Sequence, residues 1–307
     1  MRASAWIFGR VLRTGFVAAL ALAAGLCQAA SSRYCDPPGR LSAEQQDKLF
    51  RLAAVIKTEL EGSGARLALI ARSGLDLARF DQRYSHAGIS LKANPESAWA
   101  VRQLYYSCDE QLPRLFDQGI SAFLLGTDQP GLGYVSVLLL PPAESQRLER
   151  TALDRSQALQ LLGATYSANA YAFSQRYQNC NQWVAELIAS AWGETGGGTQ
   201  PRAEAQRWLQ VQGYAPTVID VGWRALMWAG ALIPWIHSDD HPGEDLAALR
   251  YRVSMPASIE AFVRQHVAGA KRIEFCHDSR RIVVRRGWTP IAEGCVPGEG
   301  DTVVALD

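Results

Sequence analysis

What the chain lacks does the first sorting. It has no basic tract and no net positive field, with 31 Lys and Arg against 30 Asp and Glu, so nothing suggests a nucleic-acid partner. A fixed-period repeat and a low-complexity linker are both absent. An apolar run long enough to span a bilayer is missing as well: Thr14 to Leu26 is uncharged and rich in Ala and Leu, but it is shorter than the ~20 residues a span needs. No motif calls for a cofactor, and a metal is not expected.

That run sits behind Arg2, Arg10 and Arg13 and ahead of the small residues of Cys27-Gln28-Ala29. This three-part pattern predicts a secretory signal over residues 1–29, cleaved after Ala29 or Ala30. A membrane anchor is the alternative, and lipoprotein processing at Cys27 is disfavoured by the bulky Leu26. The mature protein is then periplasmic or secreted, with no stable membrane span. Losing three arginines leaves 28 basic against 30 acidic residues, a net charge of −2, on about 277 residues. That length fits one large domain or a core with an appended lobe. Breaks fall at Gly193–Pro201 and Pro234–Gly243, and the division expected is 30–200 for the core and 201–307 for a C-terminal lobe.

Five cysteines remain after export: Cys35, Cys108, Cys180, Cys276 and Cys295. An odd number leaves at least one thiol unpaired or paired to another molecule. Cys276 ends one expected strand and Cys295 precedes another, so a Cys276–Cys295 bridge would staple the small C-terminal sheet. Closing that loop contributes roughly 3 kcal/mol. Cys35–Cys108 follows mainly by elimination, and Cys180 is left free.

Cys180 opens an amphipathic helix. Trp183, Val184, Leu187, Ile188 and Ala191 recur at helical spacing, and Cys180 shares their inward face. With Asn179 as N-cap, the sulfur sits among the unsatisfied amide donors of the first turn, where a thiolate is favoured. The plain alternative is a small buried hydrophobe or half of a disulfide.

Ser42 and Gln45 form a capping-box pattern for a helix to about Glu61, striped by Leu49, Leu52, Ala53, Ile56 and Leu60 and ended by Gly62-Ser63-Gly64. Strands are expected over Leu67–Ala71, Arg83–Leu91, Trp99–Tyr105 and Gly133–Leu140, with helices over Leu112–Leu125 and Ala143–Leu162. Helices on an antiparallel meander make an α+β layer structure. On the second strand His86 shares a face with Gly88 and Ser90, and on the third Gln103 shares one with Trp99, Val101 and Tyr105. Neighbouring strands would set Gln103 beside His86. Gly88 would let a ligand or helix approach the sheet. Cys180 as nucleophile, His86 as base and Gln103 as the group holding the second ring nitrogen form the constellation of a thiol hydrolase. Amides of the helix start would hold an oxyanion, with Gln178 as a side-chain donor. A hydrogen-bonded structural histidine is the competing reading.

Ser85-His86-Ala87-Gly88-Ile89, followed by Asn179-Cys180 opening a helix, resembles the circularly permuted branch of the NlpC/P60 papain-like superfamily. There a His-x-Gly strand precedes the nucleophile helix. The resemblance implies a permuted papain-like core and acyl-transfer chemistry. Its third catalytic position is often histidine, whereas here Gln103 stands, which accepts from an imidazole N–H but does not titrate. Over nearly all of the mature chain the sequence is also similar to the exported bacterial family catalogued as domain of unknown function 2145. The residues that carry this are Tyr84 to Gly88, Gln178 to Trp183, Asp239 to Pro242, Ser254-Met255-Pro256 and Arg285 to Trp288.

Thr217–Ile236 is apolar and tryptophan-rich, with Asp220 and Arg224 as its charges. It reads as a buried helix, with a membrane-surface role as the sharper alternative. His237-Ser238-Asp239-Asp240-His241-Pro242 groups ligand types, but its plainer reading is a turn. Ser258 is expected to cap a helix to Val267. Arg272–Cys276, Arg281–Arg286 and Thr302–Leu306 read as a small sheet with Arg280-Arg281 and Arg285-Arg286 on its solvated face; an anionic ligand is the alternative for these arginines. The function expected is an exported cysteine hydrolase or acyl transferase acting on a cell-envelope amide or ester. The rivals are a non-catalytic envelope binding protein and an assembly factor that presents the tryptophan-rich lobe.

Overall fold

Ser42 accepts a hydrogen bond from the Gln45 amide, and the Gln45 side chain accepts one from the Ser42 N–H, a reciprocal cap that starts α1 (Ala43–Gly62). The structure is a computed structural model describing residues 41–195 and 198–306. The signal segment and Cys35 lie outside the described residues. An antiparallel meander follows: β1 (Leu67–Arg72), β2 (His86–Leu91), β3 (Ala100–Ser107) and β4 (Leu112–Gln118). Then come α2 (Ile120–Leu125), β5 (Gly133–Leu139), α3 (Pro142–Leu153), α4 (Arg155–Gln160), α5 (Cys180–Gly193) and α6 (Pro201–Val211). The chain ends with β6 (Thr217–Asp220), α7 (Arg224–Gly230), α8 (Gly243–Ala247), β7 (Arg250–Val253), α9 (Pro256–His266), β8 (Lys271–His277), β9 (Arg281–Arg286) and β10 (Thr302–Ala305).

Eight strands form one antiparallel sheet in the order β10-β9-β8-β5-β1-β2-β3-β4, and β6 pairs with β7 apart from it. The architecture is α+β. Strand alternation divides the core in two. Ala68, Ile70, Val101, Val137 and Phe275 face α1 and α2, meeting Leu49, Leu52, Ile56 and Phe123. Leu69, Ala87, Ile89, Leu91 and Leu104 face α5, meeting Trp183, Val184, Leu187 and Ile188. Each fully buried aliphatic side chain of this kind contributes about 1.5–3 kcal/mol.

Several expected elements differ. Leu112–Leu125 is not one helix: Leu112–Gln118 is the edge strand β4, zipped to β3 over seven residue pairs. Arg102 grips both oxygens of Asp117 at 2.8 and 2.6 Å across that hairpin, and Pro113 is tolerated because β4 has no outer neighbour. Asp154 splits the long helix expected after β5, since its carboxylate accepts from the Ser156 and Gln157 amides and restarts the chain as α4. The strands read as a small separate sheet instead extend the main one, because β8 pairs with β5 over its whole length. The described residues from Leu41 to Leu306 fall in one compact unit. Ser258 is the third residue of α9 rather than its cap, and its hydroxyl accepts from the Met255 N–H.

Thr217–Ile236 is not a buried helix. It forms β6, the seven-residue α7 and a turn, and Trp223 and Trp228 stand exposed while Trp235 is buried. Cys276 and Cys295 are bridged, with Cα atoms 5.5 Å apart. Cys108 is also disulfide-bonded. Cys180 is free and buried.

Candidate active site

Asn179 caps α5, its side-chain oxygen accepting from the Gln182 N–H at 2.7 Å. Its amide group donates to Ala168 O and Ser254 O, both at 3.3 Å, which ties the helix start to two loops. Twelve of the fourteen residues of α5 are buried. The amphipathic reading therefore holds only for the apolar side, because the polar side is covered as well. There Glu186, with no exposed surface, pairs with Arg202 at 2.9 Å. The same carboxylate accepts from Gln178 and Gln206 at 2.6 Å each and from Gln182 at 3.2 Å. A buried charge needs this degree of satisfaction.

Gln178 serves as a lock in this structure. Its two amide N–H bonds go to Glu186 and to Leu161 O at 2.9 Å, and its oxygen accepts from the Gly163 N–H at 2.7 Å. It holds the turn before Cys180 against the buried ion pair.

His86 of β2 and Gln103 of β3 meet through Nε2 and Oε1 at 2.5 Å. The Gln103 amide nitrogen donates to Gln118 Oε1 at 2.7 Å, so its oxygen faces the ring and Nε2 carries the hydrogen. Nδ1 is then the basic nitrogen. Gly88 permits this approach: a Cβ there would lie 2.5 Å from Val101 and 3.3 Å from Gln103 Cβ. What comes close to Gly88 is therefore β3, not a ligand or helix. The ring also lies against Tyr105 and Phe123, at 5.5 and 5.8 Å between centroids.

The sulfur reaches the same strand one residue along. Trp99 N–H donates to Leu91 O, so alternate residues of β2 direct their backbone groups at β3. That ladder stops at Ile89↔Arg102. Ala87, the next residue in phase, directs its N–H toward the side where Cys180 lies, and that N–H favours the thiolate. Ala87 and Cys180 belong to one apolar cluster, while His86 alternates to the other face beside Phe123. No hydrogen bond joins the sulfur to the imidazole among the described residues.

Both groups are neutral at rest. Burial pushes the Cys180 thiol up to about 11, against the opposing N–H groups of Asn181 and Ala87 and the charge on Arg72. Burial, with Arg72 acting in the same direction, lowers His86 to about 3, and the bond to Gln103 opposes this only in part. Arg72 escaped the sequence reading because the first strand was ended at Ala71. It pairs across the ladder with His86 and lies 5.2 Å from the Phe123 ring centroid.

Residues distant in sequence hold this arrangement. The Tyr84 hydroxyl donates to the buried Glu274 and accepts from Arg272 at 2.9 Å, binding the start of β2 to β8. Asp240 accepts from the Tyr171 N–H at 3.0 Å, His241 Nε2 donates to Asn169 O at 2.8 Å, and His237 stacks on Tyr177 at 4.3 Å. Asp239 pairs with Arg176 at 2.8 Å. The His237–His241 stretch thus clamps the loop that leads to Cys180, and no cluster of three metal-ligating side chains occurs among the described residues. Arg285 is held by both Asp301 oxygens and Arg286 by Glu59, so these guanidinium groups are already paired.

Residues 59–263 match the sequence model of DUF2145, a family described as uncharacterized and conserved in bacteria. The chain belongs to this family. No curated protein and no solved structure matches it. The DUF2145 match takes in both halves of the candidate site, β2 with β3 and the start of α5, and ends before β8.

Proposed function

We propose that this DUF2145 protein is an exported cysteine hydrolase or acyl transferase of permuted papain-like type, acting on an amide or ester of the cell envelope. The observation that carries the reading is the thiol at the capped start of α5, close to the Ala87 amide of β2 and so one residue from His86, whose Nε2 is held by Gln103. In the reaction the sulfur attacks the carbonyl carbon while its proton passes to His86 Nδ1. The bond to the leaving group then breaks as His86 returns that proton to it. Water or an acceptor attacks the thioester, releasing the acyl group and the thiol. Amide N–H groups at the start of α5 are the donors available to the oxyanion. Because thiol and imidazole are buried, neutral and on opposite faces of β2, the proton transfer requires substrate to rearrange β2 so that His86 reaches the sulfur.

That same separation favours a second reading, in which the fold binds an envelope ligand and Cys180 only fills space. Acyl transfer to protein distinguishes the two. Purified protein is incubated with p-nitrophenyl esters of graded chain length, and intact mass and peptide mapping follow. An acyl adduct on Cys180, lost in Cys180→Ser and His86→Ala, is expected. Ester turnover unchanged in Cys180→Ser, or adducts elsewhere but never on Cys180, rejects the enzyme reading.

A further inference from the structure

The surface around α7 is built against the usual pattern of a water-facing helix. Trp223 and Trp228 are each 71% exposed, Leu232 is 85% exposed and Leu226 is 42% exposed. Only Met227 of this helix is buried, packed with Tyr251, Val253 and Met255. A helix apolar on its remaining sides belongs against another apolar phase. From Val221 to Ser238 the only charged residue is Arg224, with no carboxylate.

We propose that α7 and the turn after it seat on a lipid bilayer, with Trp223, Leu226, Trp228 and Leu232 entering the headgroup boundary and Arg224 meeting lipid phosphate. Two observations select a bilayer over a second copy of the chain. The four side chains offer roughly 500 Å², given about 150–250 Å² for a whole aromatic side chain, which is short of the ~800 Å² per partner of a stable protein interface. The lone charge is cationic, which complements anionic lipid, and exposed tryptophans flanking it suit a boundary that is apolar on one side and wet on the other. No helix among the described residues is long and apolar enough to cross a membrane, so the attachment lies in the surface plane.

The anchor is mechanically joined to the candidate site. Met255, which packs on Met227, lies 4.0 Å from the Asn181 side chain, and Ser254 O accepts from Asn179. Seating α7 therefore places the start of α5 close to the bilayer. The binding itself does not depend on the thiol chemistry, so Cys180→Ser should bind as the wild type does.

The test uses the chain from Ser31 on, which contains the whole compact unit, with vesicles of phosphatidylethanolamine and phosphatidylglycerol at three to one. Wild type should float with the vesicles, and brominated acyl chains should quench its tryptophan emission. Trp223→Ala with Trp228→Ala should lower partitioning about tenfold or more without changing the thermal midpoint, since both side chains are exposed. Arg224→Ala should weaken binding to these vesicles more than to pure phosphatidylcholine. Failure to float at millimolar lipid, or flotation unchanged in the double variant, overturns the proposal. A concentration-dependent dimer that the same double variant abolishes also overturns it, by assigning the patch to a second copy.

Discussion

The rate at which Cys180 alkylates should show that the site rests with both partners neutral. A free cysteine ionises near about 8.5, and the thiol here is pushed up to about 11 by burial, which leaves roughly 300-fold less thiolate at neutral pH. Iodoacetamide labelling followed by mass spectrometry, with glutathione in the same tube as a free-thiol standard, measures this directly. From pH 6 to 9 the Cys180 rate should climb about tenfold per pH unit without a plateau, staying roughly 300-fold below glutathione near neutral pH and about 80-fold below it at pH 9, where the free thiol is itself mostly ionised. Unfolding in urea should restore ordinary reactivity. His86→Ala should leave the shape of the wild-type profile intact, because the imidazole is neutral with its ring on the other face of β2. A plateau below pH 8 that disappears in His86→Ala would show a standing thiolate–imidazolium pair. The neutral resting site, and the substrate-driven rearrangement built on it, would then be wrong.

Two further outcomes follow from the same burial. His86 is lowered to about 3 in the fold against about 6.5 unfolded, so its contribution is fully present above pH 6.5 and is lost as pH falls from there toward 3. Urea unfolding at pH 7 and pH 5 should differ by about 2 kcal/mol more in wild type than in His86→Gln, and equal pH dependence would contradict the burial argument. Arg202→Ala should cost about 3–5 kcal/mol in urea unfolding followed by fluorescence, because it strands the Glu186 carboxylate with neutral donors alone. The pair Glu186→Leu with Arg202→Met should cost less than Arg202→Ala, and a single-variant loss under about 1 kcal/mol would refute the buried ion pair.

Local signals carried far in this chain, and their limit is visible residue by residue. The Ser42 cap, the stripe from Leu49 to Leu60, the short apolar run of β1 and the period-two alternation of β2 and β3 need only neighbours in sequence. Strand adjacency then suffices to put Gln103 beside His86. By contrast, β4 is a strand because β3 zips to it, against a helical pattern in Leu112–Leu125. The strands after residue 270 join the main sheet because β5 offers a free edge, a fact no local window contains. Nothing in the residues next to Glu186 shows that it is buried, because α6 delivers Arg202 and Gln206 to it from further along the chain.

The thiol shows most clearly why a correct local argument can give the wrong sign. A helix start does favour a thiolate, by about 0.3–1 kcal/mol and at most ~2. Desolvation opposes it, and the rise from about 8.5 to about 11 is on the order of 3 kcal/mol in favour of the neutral form. The helix start can be read from Asn179 and the residues after it. The cover over the sulfur comes from β2, which lies nearly a hundred residues away, and its alternation puts His86 on the face opposite the atom it was expected to ionise. The local term is the smaller of the two. On the proposed reading, an active Cys180 depends on a bound substrate displacing part of that cover, so ligand binding energy, rather than a preformed ion pair, would supply the ionisation.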